Sequence, residues 1–256
     1  MRSVEQSAAA SVYRGGNRER ARLWGARGGR HGPGSQCEYG GVVLVETLAA
    51  ALICLDPGHG TAPDVERRLE PIGPGSRELK VKDGGGTAGE APVALAIAQR
   101  TRAELRARGF RVALTRERAG YRGGNRDRAR FCNARGAALM IRIHADGATD
   151  PTRNVFSPLF PALRHGWTDD VHGQSARAGR LVQSELVRAT GARDLGLVER
   201  ADLTGFNWAD VPVVLVETGF LTNRREAALL RSAAYQRRIA QALARAVTSF
   251  VKPRRP

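Results

Sequence analysis

The sequence predicts an α/β fold: a single domain with a mostly parallel central sheet flanked by helices on both faces. Three observations carry this. Short apolar runs alternate with amphipathic stretches along the chain, the order of strand–helix–strand units. One run, VPVVLVET at Val211–Thr218, is almost continuously apolar, as a central strand covered on both faces must be. Two other runs, LICLDPGHG at Leu52–Gly60 and ALMIRIHADG at Ala138–Gly147, each end in a turn that carries a histidine. In open sheets of this kind, polar groups at the carboxyl ends of strands are where ligands bind.

Taken in order, residues Met1–Tyr39 are rich in Gly, Arg and Ser and lack apolar periodicity. We therefore expect residues 1–48 to form a disordered or wrongly assigned N-terminal extension and residues 49–252 to form the folded domain. Gly41–Leu52 is apolar but too short to cross a membrane. Glu46 in its middle and its distance from Met1 argue against a signal peptide.

The first strand is expected over Ala51–Asp56. Proline and two glycines then fix a tight turn that presents His59. Thr61–Gly89 reads as a long loop. Its Lys82-Asp83-Gly84-Gly85-Gly86 segment matches no phosphate-binding pattern and reads as flexible. A helix is expected over Ala91–Arg108, with Pro92 in its first turn and Gly109 closing it. Glu90 precedes it, where the helix dipole favours an ionised carboxylate.

Phe110–Leu114 alternates as a strand, and Asn125–Arg135 reads as a helix stopped by Gly136. Ala138–Ile143 is then a buried strand, with His144 turning out of its end. Pro151–Gln174 is irregular, and its His165 and His172 are rival ligands whose geometry nothing fixes. Ser175–Thr190 is an amphipathic helix, and Gly196–Asn207 a connecting stretch. Glu217 closes the central strand, and a charge there needs a partner or a task. Asn223 and Glu226 resemble a capping box, and a last amphipathic helix spans Ser232–Val251.

His59, His144 and Glu217 thus each fall at a strand's carboxyl end, and Glu90 opens the first crossover helix. Singly, each has an ordinary structural explanation. Together they converge on one edge of one sheet, which points to a site.

The formal net charge of +16 is nearly all arginine, since Lys80, Lys82 and Lys252 are the only lysines. These arginines are scattered, with no aromatic-interleaved basic stripe, which favours a solvated surface over a specific nucleic-acid interface. Cys37, Cys54 and Cys132 form no CxxC pattern. Cys54 and Cys132 read as small buried hydrophobes; a disulfide among the three cysteines, an odd number, is open only to an exported protein.

At this level of detail the chain resembles the zinc-dependent N-acetylmuramoyl-L-alanine amidases of the bacterial cell-division type. The resemblance runs from about Leu52 to Val251. It is carried by LDPGHG at Leu55–Gly60, Glu90, IRIHADG at Ile141–Gly147 and VPVVLVETGFLTN at Val211–Asn223, with Arg116 and Asn133-Ala134 also fitting. It implies that His59, Glu90 and His144 bind one zinc ion and that Glu217 is the catalytic carboxylate. The substrate would be peptidoglycan or muropeptides, cut between N-acetylmuramic acid and L-alanine by zinc-activated water. Catalytic zinc sites commonly take three His/Glu ligands and leave a position open, so the donor types agree with that chemistry. Asp56 is a candidate to orient a ligand histidine, or merely to cap the turn. Glu66, Glu70 and Glu78 are rivals of Glu90.

The resemblance further implies a location outside the cytoplasm (extracellular, periplasmic or in the cell wall); the sequence itself offers no transmembrane segment, and a monomer is expected. Cleft arginines are expected to meet stem carboxylates, without the sequence choosing among them. The alternatives are a zinc peptidase or deacylase acting on another amide and, further off, a non-catalytic basic wall-binding module.

Overall fold

The computed structural model describes residues 51–145, 147 and 155–251. The expectations for residues 1–48 and for Asp146 lie outside them. Six strands form the main sheet in the order β4-β1-β5-β10-β7-β9. These are β1 (Leu52–Pro57), β4 (Arg111–Leu114), β5 (Leu139–His144), β7 (Leu159–Pro161), β9 (Val198–Arg200) and β10 (Val213–Glu217). The first four in sheet order are mutually parallel, and β7 joins β10 antiparallel. Two short strands, β2 (Leu69–Pro71) and β3 (Leu79–Val81), form a separate hairpin, and β6 (Val155–Phe156) pairs with β8 (Arg193–Asp194).

The helices are α1 (Pro63–Glu66), α2 (Glu90–Arg106), α3 (Asn125–Asn133), α4 (His172–Thr190), α5 (Thr204–Asn207), α6 (Arg224–Arg231) and α7 (Ala233–Val251). Strand alternation divides the core into two layers. Ile53, Leu55, Ile141, Ile143, Val214 and Val216 face α2, α4 and α7, where Ile97, Val182 and Leu243 meet them. The opposite-parity residues Cys54, Met140, Val213 and Leu215 face α3 and α5, packing on Cys132 and Phe206. Central strands are therefore apolar on both sides, which is why Val211–Thr218 lacks alternation.

The predicted elements are present with shifted ends. The central strand spans Val213–Glu217, and the first crossover helix begins at Glu90 itself, with Gly89 as its N-cap at φ 87°. The last helix starts at Ala233 after α6, whose N-terminus Asn223 caps by accepting from the Arg225 and Glu226 backbone N–H groups. The stretches expected to be irregular hold β7, β9 and α5. Three- and four-residue elements leave no periodic trace in sequence.

Cys54 and Cys132 form a disulfide that ties β1 to α3 across 78 residues. This goes beyond the reading of both as plain buried hydrophobes. No helix among the described residues is long and apolar enough to cross a membrane.

Candidate metal centre at the carboxyl edge of the sheet

Because β1, β4, β5 and β10 are parallel, their carboxyl ends share one edge. His59 lies two residues past β1, and His144 and Glu217 are the last residues of β5 and β10. His144 and Glu217 are direct partners in the strand register. Glu90, first residue of α2, is buried beneath this edge.

His59, Glu90 and His144 each offer a donor atom, and the three atoms lie within 4.8 Å of one another. Glu90 Oε1 is the hub. It stands 3.2 Å from His59 Nε2 and 3.0 Å from His144 Nδ1, and accepts from the Ala145 N–H at 3.2 Å. Glu90 Oε2 accepts from the Thr87 N–H at 2.9 Å. The two imidazoles meet edge to face with centroids 4.8 Å apart. His144 Nε2 is buried and has no hydrogen-bond partner among the described residues.

Close approach of these rings depends on two glycines. A Cβ at Gly58 would collide with the His144 ring, and one at Gly86 would come 2.6 Å from the His59 ring. Gly86 also sits at φ +71°, a conformation that suits glycine.

His59 is held from its other nitrogen: Nδ1 is 2.6 Å from Asp83 Oδ1. A carboxylate on one imidazole nitrogen fixes the ring and directs the other nitrogen inward. Asp83 lies in the segment expected to be a flexible loop. Its partners show otherwise, since it also accepts from the Thr61 and Gly85 N–H groups. Three glycines following an aspartate are the visible signal, but turn chemistry alone explains such a pattern.

The backbone of the turn is clamped by two buried guanidiniums. Arg116 donates to the carbonyls of Pro57, Gly58 and Ala91 at 3.0, 2.8 and 2.8 Å. Arg128 donates to those of Pro57 and His59 at 2.8 and 2.7 Å. His59 itself has φ 55°, a left-handed conformation that costs a non-glycine residue about 1 kcal/mol or more. The ring anchor and the clamped carbonyl hold it there.

Asp56 organises these cations. Its Oδ1 accepts from Thr115 at 2.5 Å and Arg128 at 2.8 Å, and its Oδ2 from Arg142 Nε at 2.8 Å. Asp56 does not touch a ligand histidine; it fixes Arg128, which in turn holds the His59 carbonyl.

The electrostatics follow from these contacts. Burial disfavours the charged form of His59, but the Asp83 and Glu90 carboxylates outweigh it and raise its pKa to about 9. Burial pushes the Glu90 and Asp83 pKa values up, but their histidine partners more than reverse it and leave both well below the usual range. Burial of His144 wins over its Glu90 contact and lowers its pKa. The Asp56 carboxyl is buried, yet Arg128 and Arg142 hold its pKa far down. Arg116 falls to about 10 through burial and the nearby Arg128 charge, so it remains a cation at neutral pH.

The rival ligands are placed elsewhere. His165 pairs with Asp169 and His172 with Glu199, each at 2.8 Å. Glu70 caps α3, its Oε1 accepting from the Arg126 N–H at 3.1 Å. Glu66 and Glu78 are absent from the donor cluster, which contains only His59, Glu90 and His144.

An open α/β sheet with a His–Glu–His donor set at its carboxyl edge and a carboxylate on the neighbouring strand has the layout of a metal-dependent hydrolase. The family model for N-acetylmuramoyl-L-alanine amidases matches residues 53–249. The chain belongs to this family of peptidoglycan hydrolases. It is 32% identical over 213 residues to N-acetylmuramoyl-L-alanine amidase Rv3717 of Mycobacterium tuberculosis, covering 80% of this chain and 88% of the relative. It is 30% identical over 235 residues to amidase AmiA of Escherichia coli, covering 78% and 75%. The crystal structure of the amidase Ami1 from Mycobacterium smegmatis superposes with a TM-score of 0.70 at 29% identity, covering 78% of this chain and 96% of that one.

Proposed function

We propose that this chain hydrolyses the amide between the lactyl group of N-acetylmuramic acid and the L-alanine of the stem peptide, with one zinc ion held by His59, Glu90 and His144. The observation that carries this is the convergence of the three donors. Two imidazoles and a carboxylate form a donor set typical of catalytic zinc. The buried, unpartnered His144 Nε2 adds support, because such an atom is costly unless something else engages it.

When bound, zinc supplies Lewis-acid polarisation of the scissile carbonyl and makes water acidic near neutral pH. The chain's own residues do the rest. Asp83 orients the His59 ring, and Arg116 and Arg128 keep its turn rigid. Glu217, across from His144 in the register, takes the proton of the attacking water and hands it to the departing L-alanine nitrogen. All four residues come from one chain, so a monomer holds a whole site. The Cys54–Cys132 disulfide supports an oxidising setting, outside the cytoplasm or in the wall.

The test is mass spectrometry of defined muropeptides incubated with the zinc-loaded protein and with Glu217→Gln. The expected products are free sugar and a peptide beginning with L-alanine, absent in the variant. Cleavage within the peptide would instead indicate a zinc peptidase. Salt-sensitive binding of wall polymer without turnover, unaffected by Glu217→Gln, would indicate a binding module.

A further inference from the structure

A cleft of about 300 Å³ opens beside the donor cluster, lined by His59, His144, Asn125, Arg142, Lys80 and Thr204. Arg142 is buried in its floor, and its one carboxylate partner, Asp56, is shared with Arg128. Arg142 thus has no carboxylate to itself, and a buried cation calls for an anion.

Arg142 is the one that faces the cleft. Its Nε donates to Asp56 and its Nη2 to Asn125 Oδ1, which fixes the plane of the guanidinium. Its Nη1 makes no hydrogen bond among the described residues and lies beside Gly205, where a Cβ would collide with it. Lys80, across the cleft on the hairpin, is 3.4 Å from Asp202, but Asp202 is already held by Arg200 at 2.7 and 2.8 Å. A second cation thus stands only partly neutralised at the rim.

Arg142 and His144 are two residues apart on β5 and project to the same side of the sheet, roughly 7 Å apart along the strand. That is about the span of two residues of extended peptide. A carboxylate on Arg142 would belong to the second residue beyond the scissile carbonyl.

We propose that Arg142, with Lys80 at the rim, receives the α-carboxylate of the second stem residue, so that the enzyme distinguishes a free D-glutamate from its α-amidated form. This rests on the amidase reading of the site. A fixed guanidinium nitrogen pairs with a carboxylate oxygen by a charge-assisted hydrogen bond, whereas an amide offers a weaker neutral acceptor.

The experiment is calorimetric titration of the zinc-loaded protein with L-alanyl-D-glutamate and with L-alanyl-D-isoglutamine, which differ only at that carboxyl. It is paired with kcat/KM on muropeptides differing in the same way. The acid is expected to bind and react better by roughly tenfold or more, through KM. The preference should vanish in Arg142→Gln and return in part in Arg142→Lys. Because Arg142→Gln also removes one of the two guanidinium partners of Asp56, Gly205→Ala serves as a second variant. It displaces Nη1 while leaving the charge and is expected to lose the preference too. Equal affinities in the wild type, no binding of either dipeptide, or a preference that survives in folded Arg142→Gln or Gly205→Ala would overturn the subsite. Dipeptide preference as expected with intact muropeptides left uncut would overturn the amidase reading and leave the subsite standing.

Discussion

Breaking the Cys54–Cys132 bond should loosen the domain at the place where its site is anchored. The two cysteines are separated by 78 residues in sequence. Closing a loop of that length removes denatured-state entropy equivalent to about 4–5 kcal/mol, and residual denatured-state structure brings the expected figure nearer 3 kcal/mol. For a domain of this size that lowers Tm by roughly 6–12 °C. Cys132 sits in α3, one helical turn from Arg128, and Cys54 lies two residues before Asp56. Reduction should therefore weaken the Arg128 clamp on the His59 carbonyl as well as global stability. The assay is urea unfolding of the oxidised protein, the reduced protein and the Cys54→Ala/Cys132→Ala variant. Reduced wild type retains every side-chain atom, so its agreement with the variant separates loop entropy from lost packing. Oxidised and reduced proteins with the same midpoint and slope would show that the Cys54–Cys132 link contributes no stability.

Three further outcomes are expected. Asp83→Asn should weaken zinc affinity about 10- to 100-fold, read by competition with a chromogenic chelator, because the His59 ring loses the carboxylate that orients it. Arg128→Ala should destabilise by about 3–5 kcal/mol in denaturant unfolding, since it leaves Asp56 buried with a single guanidinium partner. Asp56 has a folded pKa below its ordinary value of 3.8, so its contribution is present above that pH and is lost as pH falls toward the folded value. Acid unfolding monitored by circular dichroism should accordingly steepen below about pH 4, and should do so less in Asp56→Asn.

The parts of the candidate site that are legible in the sequence share one property: each stands at the end of a regular element. His59, His144 and Glu217 end or follow apolar strands, and Glu90 opens a helix, so strand polarity alone gathered them. Asp83 lies in a loop with no periodicity, and only the folded chain brings it to His59. Arg128 and Arg142 were hidden by composition. Among 41 basic residues, an arginine on a buried face looks like one in solvent. The disulfide needed β1 and α3 side by side, a contact that no spacing rule supplies. Strands β7 and β9 were missed because three residues are too few to show an alternation.

The proposed reaction requires that His59, Glu90 and His144 form one zinc site whose chemistry depends on Glu217. Elemental analysis of purified wild type, His144→Ala and Glu217→Gln, with muropeptide cleavage run on the same samples, tests it directly. The expected result is one zinc per chain and activity in the wild type, loss of both in His144→Ala, and one zinc without cleavage in Glu217→Gln. Full zinc in His144→Ala, or a near-normal rate in Glu217→Gln, would contradict it.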